Sequence, residues 1–267
     1  MIPELKQEIR FTPFFVLFCR EIRRYLKVLI QTLVAPMINS TLYLLIFGVS
    51  LGASISVPGG VSYLAFLIPG LIMMSCLNNC FQNSSSSIVS AKFGGDLEDF
   101  RVSPLSDQQI IWAFAFGGLT RGLTVGTITF GVGQLFYHTT HGGWLVIQHP
   151  LWLLYFLVLG GLAFAKLGVF VAFWAKTVDQ LSAVSSFVLL PLLYLGGVFF
   201  SIENLHPFWK SLSQANPLLY LINGVRYGIL GVSDVPLTTS APVAILALLF
   251  FHGVALVSLR KGSFSRW

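Results

Sequence analysis

Long apolar segments dominate this 267-residue sequence, and its 10 acidic residues all stay in their flanks and connections. With 55% hydrophobic residues, only 10% charged and a mean hydropathy of +0.80, the chain has the composition of an integral membrane protein. A helix rises 1.5 Å per residue through a hydrocarbon core of roughly 30 Å, so a span needs about 20 apolar residues. That rule predicts an all-α protein with six transmembrane helices, near 29–50, 62–86, 109–136, 151–174, 181–200 and 240–259. The spans occupy most of the chain, which divides into an amphipathic segment, 1–28, and one membrane domain, 29–267.

The same pattern excludes several functions. A secondary transporter ordinarily couples to ions through a midplane Asp or Glu, and none is present in the spans. An intramembrane enzyme needs an acid pair, a Ser–His or Ser–Lys pairing, or metal ligands within the bilayer. The clustered histidines His138, His141 and His149 fall in a connection. No Gly-x-x-x-x-Gly-Lys-Ser/Thr sequence offers a phosphate-cradling loop for ATP. Uphill transport would therefore draw its energy from another subunit.

Lys and Arg set the orientation. They crowd the segment before the first span (Lys6, Arg10, Arg20, Arg23, Arg24, Lys27), the connection after the second (Lys92, Arg101), Lys176 after the fourth, and the tail (Arg260, Lys261, Arg266). The alternate connections carry only Lys210 and Arg226, so both termini are expected in the cytoplasm. The net charge of +6 reflects this bias and calls for no nucleic-acid partner. Cys19, Cys76 and Cys80 lack metal-ligand spacing and sit where disulfides do not form. The apolar run from Phe11 to Cys19 ends in Arg20 without a cleavage site, unlike a signal peptide.

Four segments stand out. Over residues 14–29 a helical period gathers Phe15, Phe18, Ile22, Tyr25, Leu26 and Leu29 on one side, with Arg20, Arg23, Arg24 and Lys27 opposite. Such a helix lies in the interface, its basic face toward anionic headgroups or a cytoplasmic partner. The second span turns polar after Pro69-Gly70: Ser75, Asn79, Gln82 and Ser86 share a face that either lines a conduit or bonds to neighbouring helices. In the third, Gly118, Gly122 and Gly126 make a smooth stripe for close packing, and Arg121 lies near mid-membrane without an intramembrane acid. Its compensation is either a hydrogen-bond hub or a ligand anion. Lys166, nearer the end of the fourth span, is expected to snorkel.

Two connections are unusual. The loop 88–108 mixes Asp96, Glu98 and Asp99 with Phe93, Leu97, Phe100 and Val102, as a short helix offered to a partner would. After the fifth span, Asn216-Pro217 reads as the N-cap and first residue of an apolar helix to about Leu230. That helix is too short to span, so it is re-entrant or interfacial.

Four stretches in register resemble the ABC-2 type permeases, the membrane subunits of ATP-binding-cassette exporters, in particular the branch of nodulation-factor, drug and polysaccharide exporters. They are Ile68-Pro-Gly-Leu-Ile-Met-Met74; Val102-Ser-Pro-Leu-Ser106 with Gly117-Gly118 and Arg121-Gly122; Pro191-Leu-Leu-Tyr-Leu-Gly-Gly-Val-Phe-Phe200; and Asn216-Pro-Leu ahead of Arg226-Tyr-Gly. The resemblance implies a multi-pass protein of the bacterial inner membrane. Two copies would pair with two ATPase subunits that bind ATP and Mg, leaving no cofactor or catalytic residue here. It implies that residues 10–27 and 88–107 clasp the ATPase, through Arg20, Arg23, Arg24, Lys27, Phe93, Leu97, Glu98 and Phe100. It further implies a re-entrant hairpin holding Asn216, Pro217 and Arg226. Asn79, Gln82 and Arg121 are the candidates for the path of an amphipathic substrate such as a lipid-linked glycan, a glycolipid or a drug.

Overall fold

Helix-stopping residues divide the chain. The computed structural model describes residues 3–55, 57, 60–95, 99–175 and 177–261, and no strand occurs among them. Helix α1 (Pro3–Leu26) leads into α2 (Leu29–Tyr43), which continues as a π-helical turn over Leu44–Ser50. Helices α3 (Tyr63–Gly94), α4 (Asp99–Val102), α5 (Asp107–His141) and α6 (Pro150–Trp174) follow. Then α7 (Val178–Val184) runs through a π-helical turn (Ser185–Leu189) into α8 (Leu190–Leu195). Finally come α9 (Pro207–Gln214), α10 (Pro217–Leu230) and α11 (Leu237–Lys261).

Local chemistry accounts for the boundaries. Ser62 caps α3 by accepting from the Ala65 amide, and Ser106 with Gln109 forms a capping box at α5. Gly95, Gly142 and Gly231 end α3, α5 and α10 at φ of 85°, 72° and 73°, a left-handed conformation that glycine adopts without a Cβ clash.

Five helical stretches are long and apolar enough to cross a membrane: Leu29–Ser50, Tyr63–Gly94, Pro150–Trp174, Val178–Leu195 and Leu237–Lys261. The longest helix, α5 at 35 residues, is not among them. Its glycines, threonines and Arg121 dilute its hydropathy, although its length is about 52 Å at 1.5 Å per residue. Two expected boundaries move. The second span continues as helix to Gly94 because its polar half finds partners on α1 and α5. The fifth stops at Leu195 because Gly196 and Gly197, the latter at φ 81°, turn the chain away.

Helix α3 forms the centre, packed by α5, α6 and α10, with α1 against α5 at one end. Lipid tails are as apolar as leucine, so helices here gain from close van der Waals contact rather than from escaping water. Glycine provides that closeness. A Cβ on Gly118 would come within 2.9 Å of the Cys80 carbonyl, and one on Gly122 within 2.7 Å of that of Cys76. The stripe of the third expected span is thus used inside the protomer, against α3. At the other end of α3, a Cβ on Gly70 would lie 2.8 Å from the Val198 carbonyl. Most of α3 and α6 is buried, whereas α2, α7–α8 and α11 leave most of their apolar surface uncovered.

Candidate functional site

The polar half of α3 divides its work between two faces. On one, Ser84 Oγ donates to the Phe114 carbonyl (3.0 Å), Ser87 Oγ donates to Glu21 Oε1 (2.8 Å), and Asn83 receives Arg24. The other carries the predicted stripe, and it borders two cavities. The upper one, about 240 Å³, lies between α2, α3 and α8, with Ser75, Asn78 and Asn79 on α3 facing Ser40, Tyr43 and Tyr194. Asn79 is buried, its Nδ2 donating to the Ser75 carbonyl (3.0 Å), and Tyr43 and Tyr194 pair through their hydroxyls at 3.2 Å.

The lower cavity, about 460 Å³, lies between α3, α5 and the α7–π turn. Gln82, Ser85 and Ser86 line it from α3, Arg121 from α5, and Ser182, Ser185 and Ser186 from the opposite wall. Gln82 Nε2 donates to Asn78 Oδ1 (3.3 Å), linking the two cavities along one helix face. Asn79, Gln82 and Arg121 therefore border a common polar track, though Asn79 opens to the upper chamber and the other two to the lower. The serines of the far wall escaped the sequence reading. Their i, i+3, i+4 spacing in an otherwise apolar span was the available signal.

At the α1 end the structure departs from the helical wheel. The buried stripe is Leu17, Glu21 and Tyr25, while Phe15 and Leu26, on the apolar side read from periodicity, are exposed. The reason is electrostatic. Glu21 is fully buried beside Ser87, and its carboxylate pairs with Arg24 Nε at 3.4 Å and Arg20 Nε at 3.7 Å. Turning inward to satisfy this acid draws Arg24 off the basic face. Its Nη2 donates to the Asn83 carbonyl (2.6 Å) and Oδ1 (3.0 Å), and its Nη1 to Ser86 Oγ (3.2 Å). Burial lowers the Arg24 pKa from its ordinary value and Glu21 opposes that shift. Arg20, Arg23 and Lys27 remain along a crevice of about 840 Å³ between α1 and α3, with Phe15 and Val16 at its mouth. Glu21 was missed as a functional residue; its i, i+4 register with Tyr25 was the readable signal.

In the connection, Phe93 is exposed, but Phe100 is buried, edge-on to Phe114 at 5.7 Å and under the Arg20 guanidinium at 5.1 Å. Phe100 thus holds the loop to α1 and α5 rather than standing out for a partner. Leu97 and Glu98 lie outside the described residues. Lys92 is buried and donates to the carbonyls of Ala172 (2.7 Å), Phe173 (3.0 Å) and Ala175 (3.2 Å). A cation at the negative end of α6 satisfies acceptors that have no helical partner.

The far end is organised by Arg226. Asn216 caps α10 by accepting from the Leu218 amide (3.0 Å), Pro217 follows at the first helical position, and Asn216 Nδ2 donates to the Leu192 carbonyl (2.6 Å). Arg226 is buried, its Nη2 on the Gly197 carbonyl (2.7 Å), its Nη1 on Asn223 Oδ1 (3.3 Å), and its plane 3.7 Å from the Phe66 ring centroid. Lys166 does not snorkel: it is buried, with Nζ 3.3 Å from the Trp112 ring centroid, because that π face lies closer than the interface. His138, His141 and His149 stack on Trp144, Tyr137 and Tyr227, and no cluster of metal-binding residues occurs among the described residues.

A helical bundle with several bilayer-length apolar helices and a central polar track fits a multi-pass membrane transport protein. The ABC-2 type transporter family model matches residues 12–230, so the chain belongs to that family. It is 39% identical over 246 residues to the inner membrane transport permease YadH of Escherichia coli K12, covering 92% of this chain and 94% of the relative. It is 28% identical over 239 residues to nodulation protein J of Neorhizobium galegae, covering 88% of each. Nodulation protein J of Rhizobium meliloti strain 1021 matches at 25% over 244 residues, 89% of this chain and 91% of the relative.

Proposed function

We propose that this chain is the membrane subunit of an ATP-driven exporter in the bacterial inner membrane, acting as a pair of copies on two separate ATPase subunits. In this reading α5 is the sixth span, both termini and the α1 end face the cytoplasm, and α9–α10 form a re-entrant hairpin on the outer side. The observation that carries it is the polar track from Ser75 to Ser86 along α3, bordered by α2, α8 and the α7–π turn. A track enclosed by helices of one protomer on one side and loosely covered on the other suits a path completed by a second copy. Its amphipathic lining suits a lipid-linked glycan, a glycolipid or a drug.

Energy would arrive at the α1 end, with Arg20, Arg23, Lys27 and Phe93 presented to the ATPase and Arg24, Glu21 and Phe100 relaying its movement into α3 and α5. ATP and Mg would be bound by that partner. The test is co-purification of an ATPase subunit with this chain and stimulation of its hydrolysis in reconstituted vesicles. Failure of both would overturn the reading.

A further inference from the structure

The lower cavity has a charge imbalance that packing alone does not account for. Arg121 lies 14 residues into α5, about 21 Å along its axis. Its Nε is buried without an acceptor, and its guanidinium makes no hydrogen bond or ion pair among the described residues. An arginine keeps its charge, so a guanidinium at this depth needs an anion or water. Among the described residues no carboxylate lines the cavity. Arg24 reaches its edge through Ser86, but its charge is paired with Glu21.

The donors still free to serve that space come from its far wall. Ser85 and Ser86 spend their protons on the carbonyls of Phe81 and Asn83. Ser182, Ser185 and Ser186 make no side-chain hydrogen bond among the described residues and face the same space. Arg226 provides the contrast: although its Nε also lacks a hydrogen-bond partner, its guanidinium is met by a carbonyl, an amide oxygen and a ring face, with Asp234 close enough to act on its charge.

We propose that the Arg121 cavity is a phosphoryl-binding subsite, in which the guanidinium fork takes two oxygens and the α7–π serines donate to the others. It rests on the exporter reading and deepens it, making the substrate an amphipath with a phosphate-bearing headgroup. A phosphoryl group has enough acceptor oxygens for one fork and several hydroxyls. The volume of about 460 Å³ accommodates a headgroup while its chains stay outside between α3 and α7.

The test uses the full chain purified in neutral detergent, with dioctanoyl phosphatidate, dioctanoylglycerol and inorganic phosphate as probes. Phosphatidate is expected to bind roughly tenfold more tightly than dioctanoylglycerol, and Arg121→Gln to abolish that difference while Arg121→Lys keeps part of it. Competition by inorganic phosphate would identify the anion alone as the recognised group. Its absence beside intact phosphatidate binding would identify a lipid headgroup. Equal binding of the two lipids, or full phosphatidate binding by Arg121→Gln, would overturn the subsite.

A second arm does not depend on the folding of that variant. Ser182→Cys in a Cys19→Ser background is expected to react with a sulfonate thiol reagent, and phosphatidate to slow the reaction. Unslowed reaction would overturn the proposal. ATPase stimulation is measured separately: its loss with phosphatidate binding intact overturns the exporter reading alone, and the converse overturns the subsite alone.

Discussion

Two arginines in the membrane region meet opposite fates. Arg226, on α10, is buried and has its charge distributed over the Gly197 carbonyl, Asn223 and the Phe66 ring. Arg121, on α5, faces a cavity and makes no hydrogen bond or ion pair among the described residues. The first ties three elements together: α10, the Gly196-Gly197 turn and the start of α3. The second ties nothing down. Burying a charge with its acceptors in place builds structure, whereas burying one without them keeps a site open for something that is not part of the chain.

Substitutions can break this contrast. The largest effect is expected at Arg226: Arg226→Met leaves the Gly197 carbonyl unpaired in the interior and strips the cation from the Phe66 ring, and should cost about 3 kcal/mol or more. Folded yield and thermal midpoint in detergent would fall together. Under the same measurement Arg121→Gln should stay close to wild type, and a loss as large as that of Arg226→Met would erase the distinction.

Next is the seam between α3 and α5. Gly122→Val drives a side chain into the Cys76 carbonyl, so α5 must move away, at a cost of roughly 1–3 kcal/mol or more. A wild-type melting curve for this variant would show that the stripe does not carry the packing. Lys92→Met should follow, at about 1–3 kcal/mol, because it strips a donor from three carbonyls at the end of α6. Faster amide exchange confined to the last turn of α6 would localise the effect.

The smallest stability change separates the two phenylalanines of the α3–α5 connection. Phe100→Ala should lower the midpoint, since Phe100 is packed between Arg20 and Phe114. Phe93→Ala should change stability by less than about 0.5 kcal/mol, the range usual for surface positions, yet reduce ATPase stimulation. Equal stability losses from the two would mean that the loop buries both. Unchanged stimulation in Phe93→Ala would remove this residue from the coupling surface.

Much of the framework could be read in one dimension. The apolar segments, the N-cap at Asn216 with Pro217 and the polar face of α3 each depend on residues close in sequence. Propensity, capping and periodicity report those directly. The rotation of α1 could not be read in this way, because it is set by Ser87 and Asn83, more than 50 residues away, which receive Glu21 and Arg24. Nor could the partition of Phe93 and Phe100, since both carry the same side chain within one short segment. Their difference is burial: Phe100 packs between Arg20 and Phe114, whereas the side chain of Phe93 stays exposed.

What the sequence determined by itself is therefore the solvent each segment prefers and the places where helices start and stop. A run of apolar residues in a bilayer must be helical to pair its own backbone, whatever surrounds it. Which charges are neutralised and which are left facing a cavity was decided only by the tertiary structure. The roles of Arg121 and Arg226 diverged when the Gly196-Gly197 turn brought a carbonyl to one and a serine-lined space opened between α3, α5 and the α7–π turn beside the other.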